Sequence, residues 1–124
     1  MMDGWASQAI EVGRKWDAVR MPLATGLSLY AHLAADDDTR DCLGPIAACT
    51  QSEVTYWLIP TGSTDTWPSG CRLLTRGSWI VLPGPMVHPH WAAWLHQPHT
   101  PGQLTGAVWL AAALNNHLAL EAQL

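Results

Sequence analysis

Residues 45–60, PIAACTQSEVTYWLIP, carry the clearest structural pattern of the chain. Two apolar runs, Pro45 to Cys49 and Val54 to Pro60, flank a short polar segment. Extended apolar runs bounded by turn-forming residues are typical of strands, and a short polar connection favours an antiparallel pair. The sequence therefore predicts a hairpin on which an antiparallel sheet can be built.

On the N-terminal side of this hairpin the sequence predicts a helix, a strand and a second helix. Apolar residues recur at helical spacing over residues 4–14, which predicts a short amphipathic helix. Residues 16–21 are predicted to be extended, and Pro22 suits the first position of a helix over 22–35. Three consecutive aspartates at 36–38 follow; we expect them to solvate a loop, with a metal site as the alternative.

On the C-terminal side two short strands, 71–74 and 78–82, surround a glycine turn. The second is so apolar that we expect it to be central and to bury Trp79. A further edge strand is expected over residues 90–95. Thr105 is expected to cap the N-terminus of a final helix.

Together these elements predict a single α+β domain. We expect a small antiparallel-rich sheet of about five strands, with N-terminal helices and a C-terminal helix packed on it. A chain of 124 residues buries enough surface for a core without disulfides or metals. With 48% hydrophobic and 13% charged residues, the composition excludes an intrinsically disordered chain.

The cysteines and the apolar runs bear on the cellular compartment. Cys42, Cys49 and Cys71 are odd in number and form no C-x-x-C pair, which favours reduced thiols over a disulfide framework or a cysteine zinc site. The Met-Met-Asp start has no basic and apolar signal segment, and the longest apolar run, residues 107–114, is too short to span a membrane. We therefore expect a cytoplasmic protein.

The charge balance disfavours strong duplex binding. Six basic residues stand against ten acidic ones, whereas duplex-binding proteins usually present a clustered basic face to several phosphates. Two local clusters leave weak single-stranded nucleic-acid binding open, with solvated surfaces as the alternative. The clusters are Arg14, Lys15 and Arg20 near the start, and Arg72 with Arg76 around a predicted turn.

Four histidines, His88, His90, His96 and His99, crowd into twelve residues. His-x-His on an extended segment projects both rings to one side, as a zinc pair requires. The neighbouring prolines indicate a stiff surface loop, and no nearby Cys, Asp or Glu supplies another type of ligand. The alternatives are a zinc site, which would make the chain a metal protein or an enzyme, and exposed histidines in a protein without a cofactor.

No catalytic signature of the common nucleophilic or nucleotide-binding kinds is present. The sequence contains no G-x-S-x-G elbow, no G-x-G-x-x-G and no Walker phosphate loop.

The tryptophans and the final helix predict an interaction surface. Eight Trp and no Phe mean that several tryptophans fill the core, but the chain carries more apolar surface than one small core covers. Trp109, Leu110 and Leu120 lie off the main apolar stripe of the final helix, and Trp91 and Trp94 lie on the predicted edge strand. We expect these side chains to bind a protein partner or to form an isologous dimer.

The order of motifs resembles a known family. Tyr56 to Gly62 is a strand that ends in proline before a loop, Cys71 to Gly77 is a short strand with a glycine turn, and Trp79 to Pro89 is an apolar strand that runs into a proline- and histidine-containing element. This order is similar to the back half of bifunctional DNA primase/polymerase (prim-pol) domains. Residues 9–22 also resemble the family's opening helix and its "GW-x-V" strand.

The departures from that family concern its catalytic residues. Prim-pol domains hold divalent metal with carboxylates, one of them on the strand before the glycine turn. Here that strand is Cys71-Arg72-Leu73-Leu74, the hairpin strands carry no acid, and Cys49-Thr50-Gln51-Ser52-Glu53-Val54 replaces the "SG-x-G-x-H" element. The resemblance therefore implies a trimmed bacterial relative with no catalytic residues. We expect a noncatalytic protein-binding or regulatory module, with weak single-stranded nucleic-acid binding or a histidine-loop metal protein as alternatives.

Overall fold

The computed structural model describes residues 9–84 and 91–123, and it confirms the α+β class. The elements in these ranges are β1 (Ala9–Glu11), β2 (Asp17–Pro22), α1 (Leu23–Ala34), α2 (Asp37–Arg40), β3 (Ile46–Cys49), β4 (Val54–Ile59), β5 (Arg72–Leu74), β6 (Trp79–Val81), β7 (Ala93–His96) and α3 (Ala107–Glu121).

Five strands form one antiparallel sheet in the order β5-β2-β4-β3-β7. The predicted hairpin lies at its centre, where β3 pairs with β4 from Ile46 opposite Trp57 to Cys49 opposite Val54. β2 pairs with β4 along its whole length. The expected edge strand forms as β7, at the far side of β3. β1 and β6 pair with each other in a separate two-stranded sheet, called the ribbon below.

The two faces of the five-stranded sheet bury separate cores. The helical face packs against α1 and α3, and its core consists of Val19, Met21, Leu29, Leu33, Leu43, Ile46, Trp57, Ile59, Leu110 and Leu114. The ribbon face packs against the ribbon, and its core consists of Val12, Ala18, Ala47, Leu58, Leu74, Ile80 and Leu82. Period-two alternation along β2 and β4 supplies side chains to both cores. The molecule therefore has three layers, with the sheet between the helices and the ribbon.

The helix α1 lies unusually close to the sheet because of a glycine. A Cβ atom at Gly26 would stand 2.0 Å from Oγ1 of Thr55 on β4, far inside van der Waals contact. Thr55 is itself fully buried, and its hydroxyl accepts a hydrogen bond of 3.1 Å from the indole N–H of Trp57. Only glycine fits this crossing of α1 over β4.

The prediction of a helix over residues 4–14 is wrong for the residues of this segment that the structure describes. Residues 9–11 form β1 instead, and Ile10 lies opposite Ile80, which is 70 positions further along the chain. Residues 4–8 lie outside the described ranges. Pairing with a distant strand has overridden a local helical spacing, as tertiary contacts commonly do.

The prediction that residues 78–82 form a central strand with a buried Trp79 is also wrong. β6 belongs to the ribbon, and Trp79 is 63% exposed whereas Ile80 is 3% exposed. The ribbon packs on the sheet with one face only, so alternation buries Ile80 and turns Trp79 outwards.

Thr105 does not cap α3. The residue before the helix is Gly106, which makes no side-chain cap, and Oγ1 of Thr105 accepts a 2.8 Å hydrogen bond from the backbone N–H of Gly44. Thr105 is fully buried, and it joins the segment before α3 to the segment before β3. Within the described ranges, no helix has the length and apolar character needed to cross a membrane.

Candidate functional site

A groove of about 560 Å³ is lined by residues of the ribbon, of the turn after β1 and of the five-stranded sheet; we call it the ribbon groove. Three tryptophans line it: Trp16 before β2, Trp79 on β6 and Trp94 on β7. Two cations, Arg14 and Lys15, lie at one end, in the turn between β1 and β2. The remaining lining is aliphatic apart from one carboxylate, and consists of Ala9, Ile10, Glu11, Leu58 and Leu82.

Close packing of two turns builds the cationic end of this groove. Gly13 has φ +99°, and a Cβ atom there would lie 2.5 Å from both N and Cα of Arg76. The backbone N–H of Val12 also donates to the carbonyl of Ser78 at 2.8 Å. Glycine is required both by this left-handed conformation and by the close approach. The result is a basic corner, defined as Arg14, Lys15 and Arg76, drawn from the two clusters that the sequence placed far apart.

The other two predicted basic residues form a separate pair. Arg20 on β2 lies directly opposite Arg72 on β5, and both are exposed on the ribbon face. Like charges in directly opposed positions destabilise a sheet. Neither side chain forms an ion pair with a residue in the ranges 9–84 and 91–123. Among the described residues, this pair of cations beside the ribbon has no acidic partner.

The strand register places the Arg20–Arg72 pair in the same row as aromatic side chains of the sheet. Arg20 lies opposite Tyr56, Tyr56 lies opposite Ala47, and Ala47 lies opposite Trp94. Burial raises the pKa of Tyr56, as does the nearby Cys49, while the positive charge of Arg20 acts in the opposite direction. One row across the ribbon face therefore runs from guanidinium groups at β5 to an indole at β7.

Most of the basic residues lie on one side of the molecule, the ribbon side. Five of the six basic residues of the chain lie on the ribbon side, in the basic corner and the Arg20–Arg72 pair. Glu11, on the same side, pairs with Arg14 at 2.8 Å. Four acids lie around α2, which packs against α1: Asp36, Asp37, Asp38 and Asp41. The formal net charge of −4 therefore conceals a basic surface at the ribbon.

Two of the four histidines that suggested a metal site lie together in the described part of the chain. His96 ends β7 and His99 lies in the loop after it, and both line a cavity of about 310 Å³ that also includes Arg40. His88 and His90 lie outside the described residues. Across the part of the chain that is described, no three His, Cys, Asp or Glu side chains are grouped in a way that could hold a metal ion.

The predicted interaction surface is divided among several places. The prediction that Leu110 lies on the surface is wrong. This side chain is fully buried in the core of the helical face, one turn from Leu114. Trp109 and Leu120 line a groove of about 290 Å³ beside the end of α1. Trp91, 42% exposed, lies near Trp79 on the other side of the sheet. Trp94 belongs to the ribbon groove.

A polar cluster between α1 and α3 was not predicted from the sequence. Oγ of Ser28 lies 2.9 Å from Nε2 of His117 and donates to Oε2 of Glu121 at 3.2 Å. That carboxylate oxygen lies 3.5 Å from the same Nε2 atom. In a Ser-His-acid triad the acid binds the ring nitrogen remote from the nucleophile, so this cluster clamps two helices and is not a triad. Its other two members lie 89 or more positions from Ser28 along the chain, so no local spacing in the sequence could have indicated the cluster.

Comparisons of the chain with protein-family models, with curated proteins and with solved structures found no match.

Proposed function

We propose that the chain is a noncatalytic binding module with a prim-pol-like core, and that its ribbon groove binds single-stranded nucleic acid. One observation carries the proposal: three indole rings line a groove together with Arg14 and Lys15, and Arg76 lies against the adjoining turn at Gly13. Proteins that bind single strands without reading sequence combine a positively charged path for the backbone with aromatic side chains on which the bases stack.

The aromatic part of the groove is available to a ligand. Trp79 is 63% exposed, and Trp16 and Trp94 are half-buried, so each presents part of a ring to solvent. Exposed indoles gathered at one groove are uncommon on a monomer unless the surface has a binding role. Stacking of a base on such a ring contributes about 1–3 kcal/mol.

The basic part supplies the electrostatic attraction. Lys15 and Arg76 form no ion pair with any described residue, and Arg14 shares its charge with Glu11. Each cation that neutralises a phosphate releases counterions, and for single strands the slope of log K against log salt is about −0.7 per phosphate. Three cations give a slope of about −2, so we expect weak binding that high salt abolishes.

The charge of β5 is the reason for proposing that the module is not catalytic. In the prim-pol pattern the strand before the glycine turn supplies an acid to the metal site, whereas here Arg72 on that strand faces Arg20. Two opposed guanidinium groups repel a divalent cation. The module is accordingly proposed to hold a nucleic-acid strand without extending it. Incorporation of nucleotides that stops when divalent metal is chelated would contradict this part of the proposal.

The experiment is a titration of the full chain with an oligothymidine, followed by tryptophan fluorescence at several salt concentrations. Trp79→Ala and Lys15→Ala are the test variants, because both side chains are exposed and their removal leaves the cores intact. Leu27→Ala, an exposed apolar residue on α1, is the control for Trp79→Ala. Gln123→Glu, exposed after α3, changes the net charge by the same amount as Lys15→Ala.

We expect Trp79→Ala to weaken binding about 5- to 100-fold, which corresponds to loss of one stacked base. Lys15→Ala should reduce the magnitude of the salt slope by about 0.7. Both controls should bind as the parent does. The proposal would be overturned if the oligothymidine did not quench tryptophan fluorescence or if the quenching did not depend on salt. It would also be overturned if the control variants weakened binding as much as the test variants. Capture of an acidic or apolar peptide instead, lost in Trp79→Ala, would assign the groove to a protein partner.

Self-association through α3 is the second candidate, and it is favoured by the character of that helix. Its 15 residues include one carboxylate, at Glu121, and no Lys or Arg. Val108 is 73% exposed and Leu120 is 55% exposed. Surface helices normally present charged residues to water, so this outward side suits a second copy in an isologous dimer. Sedimentation at micromolar concentration should show a dimer that Val108→Lys dissociates; a monomeric parent would exclude this candidate.

A further inference from the structure

A second cavity, of about 310 Å³, lies where the end of α2 meets the end of β7. Its polar lining comes from Arg40, His96, His99 and Thr100, with Asp41 and Gln103 at the wall. It shares no lining residue with the ribbon groove. We propose that this cavity, the α2–β7 pocket, binds a small ligand through a phosphoryl oxyanion.

The side chains in the pocket are mainly hydrogen-bond donors. Arg40 offers guanidinium N–H groups, His96 and His99 offer imidazole nitrogens, and Thr100 offers a hydroxyl. Guanidinium and imidazolium groups form short, charge-assisted hydrogen bonds with phosphate oxygens. Of the residues that the structure describes, Asp41 is the one carboxylate in the lining, and Asp37 pairs with Arg40 from outside it.

Two positively charged groups of the pocket, Arg40 and His99, act on His96. Burial lowers the pKa of His96, and the positive charges of Arg40 and His99 lower it further. Positive charge at Arg40 and His99 disfavours a zinc ion beside the ring of His96, whereas a bound oxyanion would pair with these groups and would itself favour the protonated form of His96. The two described histidines of the predicted zinc cluster therefore lie in surroundings that suit the opposite charge.

Hydrogen bonds hold the histidine and arginine walls in place. The Tyr30 hydroxyl lies 3.4 Å from Nδ1 of His96, and the two ring centroids are 5.7 Å apart. The guanidinium of Arg40 pairs with the carboxylate of Asp37, and its Nη1 lies 3.5 Å from the carbonyl of Ala34. A site whose donors are already oriented loses less entropy on binding.

The loop that carries His99 is likewise tied to the core. The side-chain amide of Gln103 donates to the carbonyls of Asp41 at 2.7 Å and Leu43 at 3.0 Å. These bonds join the loop after β7 to the end of α2, which brings His99 and Arg40 to one cavity. The volume is at the lower end of the range for small-molecule sites, so the ligand is inorganic phosphate or a small phosphate monoester.

The experiment is calorimetric titration of the full chain with inorganic phosphate and, in a second arm, with glycerol phosphate, at ionic strength held constant with chloride. His99→Gln and Arg40→Gln are the test variants. His99→Gln changes an exposed loop residue, so it tests the pocket even if Arg40→Gln disturbs α2. His32→Gln is the control, because His32 is an exposed histidine of α1 that does not line the pocket.

We expect saturable, one-to-one binding that each test variant weakens by about tenfold or more, the usual effect of removing a charged hydrogen-bond donor. The control should bind as the parent does. Tighter binding of glycerol phosphate identifies an ester as the ligand, and equal or weaker binding identifies the free anion. Phosphate binding that is not saturable, or that both test variants retain, overturns the proposal. Stoichiometric zinc binding lost in His99→Gln would also overturn it, in favour of a metal site.

Discussion

The most demanding test of the fold is the substitution Gly26→Ala. The added Cβ atom would stand 2.0 Å from Oγ1, 2.6 Å from Cγ2 and 2.8 Å from Cβ of Thr55. Contacts of 3.4–4 Å are ordinary for a Cβ atom, so α1 must move away from the sheet or Thr55 must leave its position. Either response disturbs the hydrogen bond from the buried indole of Trp57.

The cost follows from three terms. Overpacking a filled core costs about 1–3 kcal/mol, and disturbing a buried hydrogen bond costs about 1–3 kcal/mol. The higher helix propensity of alanine returns about 1 kcal/mol. The net loss of unfolding free energy is therefore about 1–5 kcal/mol, and a loss in the middle of this range lowers the Tm of a chain of this length by roughly 10 °C.

Urea and thermal denaturation followed by circular dichroism measure this loss. Gly106→Ala is the matched control, because a Cβ atom there has its nearest neighbour at 3.8 Å and φ is −63°, so it should cost at most about 1 kcal/mol. The double variant Gly26→Ala/Thr55→Ala should lose less than the sum of the two single variants. A Gly26→Ala protein as stable as the parent would refute the close packing of α1 on β4.

Three further predictions concern burial and titration. Trp79→Ala should change the urea-unfolding free energy by less than about 1 kcal/mol because the ring is exposed, whereas Leu110→Ala should cost about 2–5 kcal/mol; similar losses would show that the ribbon is misplaced. Timed alkylation with mass spectrometry should modify exposed Cys42 first and Cys49 only on unfolding, because Cys49 is buried and burial raises its pKa to about 11; rapid modification of Cys49 would contradict this. The pKa of His96 is below its ordinary value of 6.5, so its contribution to stability is complete above that pH and is lost as the pH falls through the folded-state pKa. His96→Gln should therefore reduce the loss of stability between pH 7.5 and 5.5, and an unchanged loss would contradict the assignment.

The parts of the fold that local chemistry determines could be predicted from the sequence. The hairpin of residues 45–60 follows from two apolar runs and one polar turn, and Pro22 marks the change from strand to helix because it restricts the residue before it. α3 was predicted from its apolar periodicity. These signals lie within one element or at its boundary, where sequence spacing is informative.

The ribbon could not be predicted, because it depends on contacts between distant residues. Spacing typical of a helix led to the wrong structure for residues 9–11, whose partner strand begins at Trp79. The apolar character of β6 suggested full burial, but a two-stranded ribbon buries only one of its faces.

The candidate sites depend on the same long-range packing. The sequence grouped Arg20 with Arg14, whereas the fold places Arg14 beside Arg76 and pairs Arg20 with Arg72. The side chains that line the ribbon groove and the α2–β7 pocket come from elements far apart along the chain. Sequence spacing could therefore indicate which residues were unusual, but it could not indicate which of them lie close together in the fold.

Binding of a single strand in the ribbon groove can be tested by photocrosslinking the full chain to a 5-iododeoxyuridine oligonucleotide and identifying the crosslinked residues by mass spectrometry. If the ribbon groove holds the strand, crosslinks will form at the groove tryptophans, Trp16, Trp79 and Trp94, and will disappear at high salt. Crosslinks confined to Trp109 on the opposite side of the sheet, or none at low salt, would contradict the assignment of the groove to single-stranded nucleic acid.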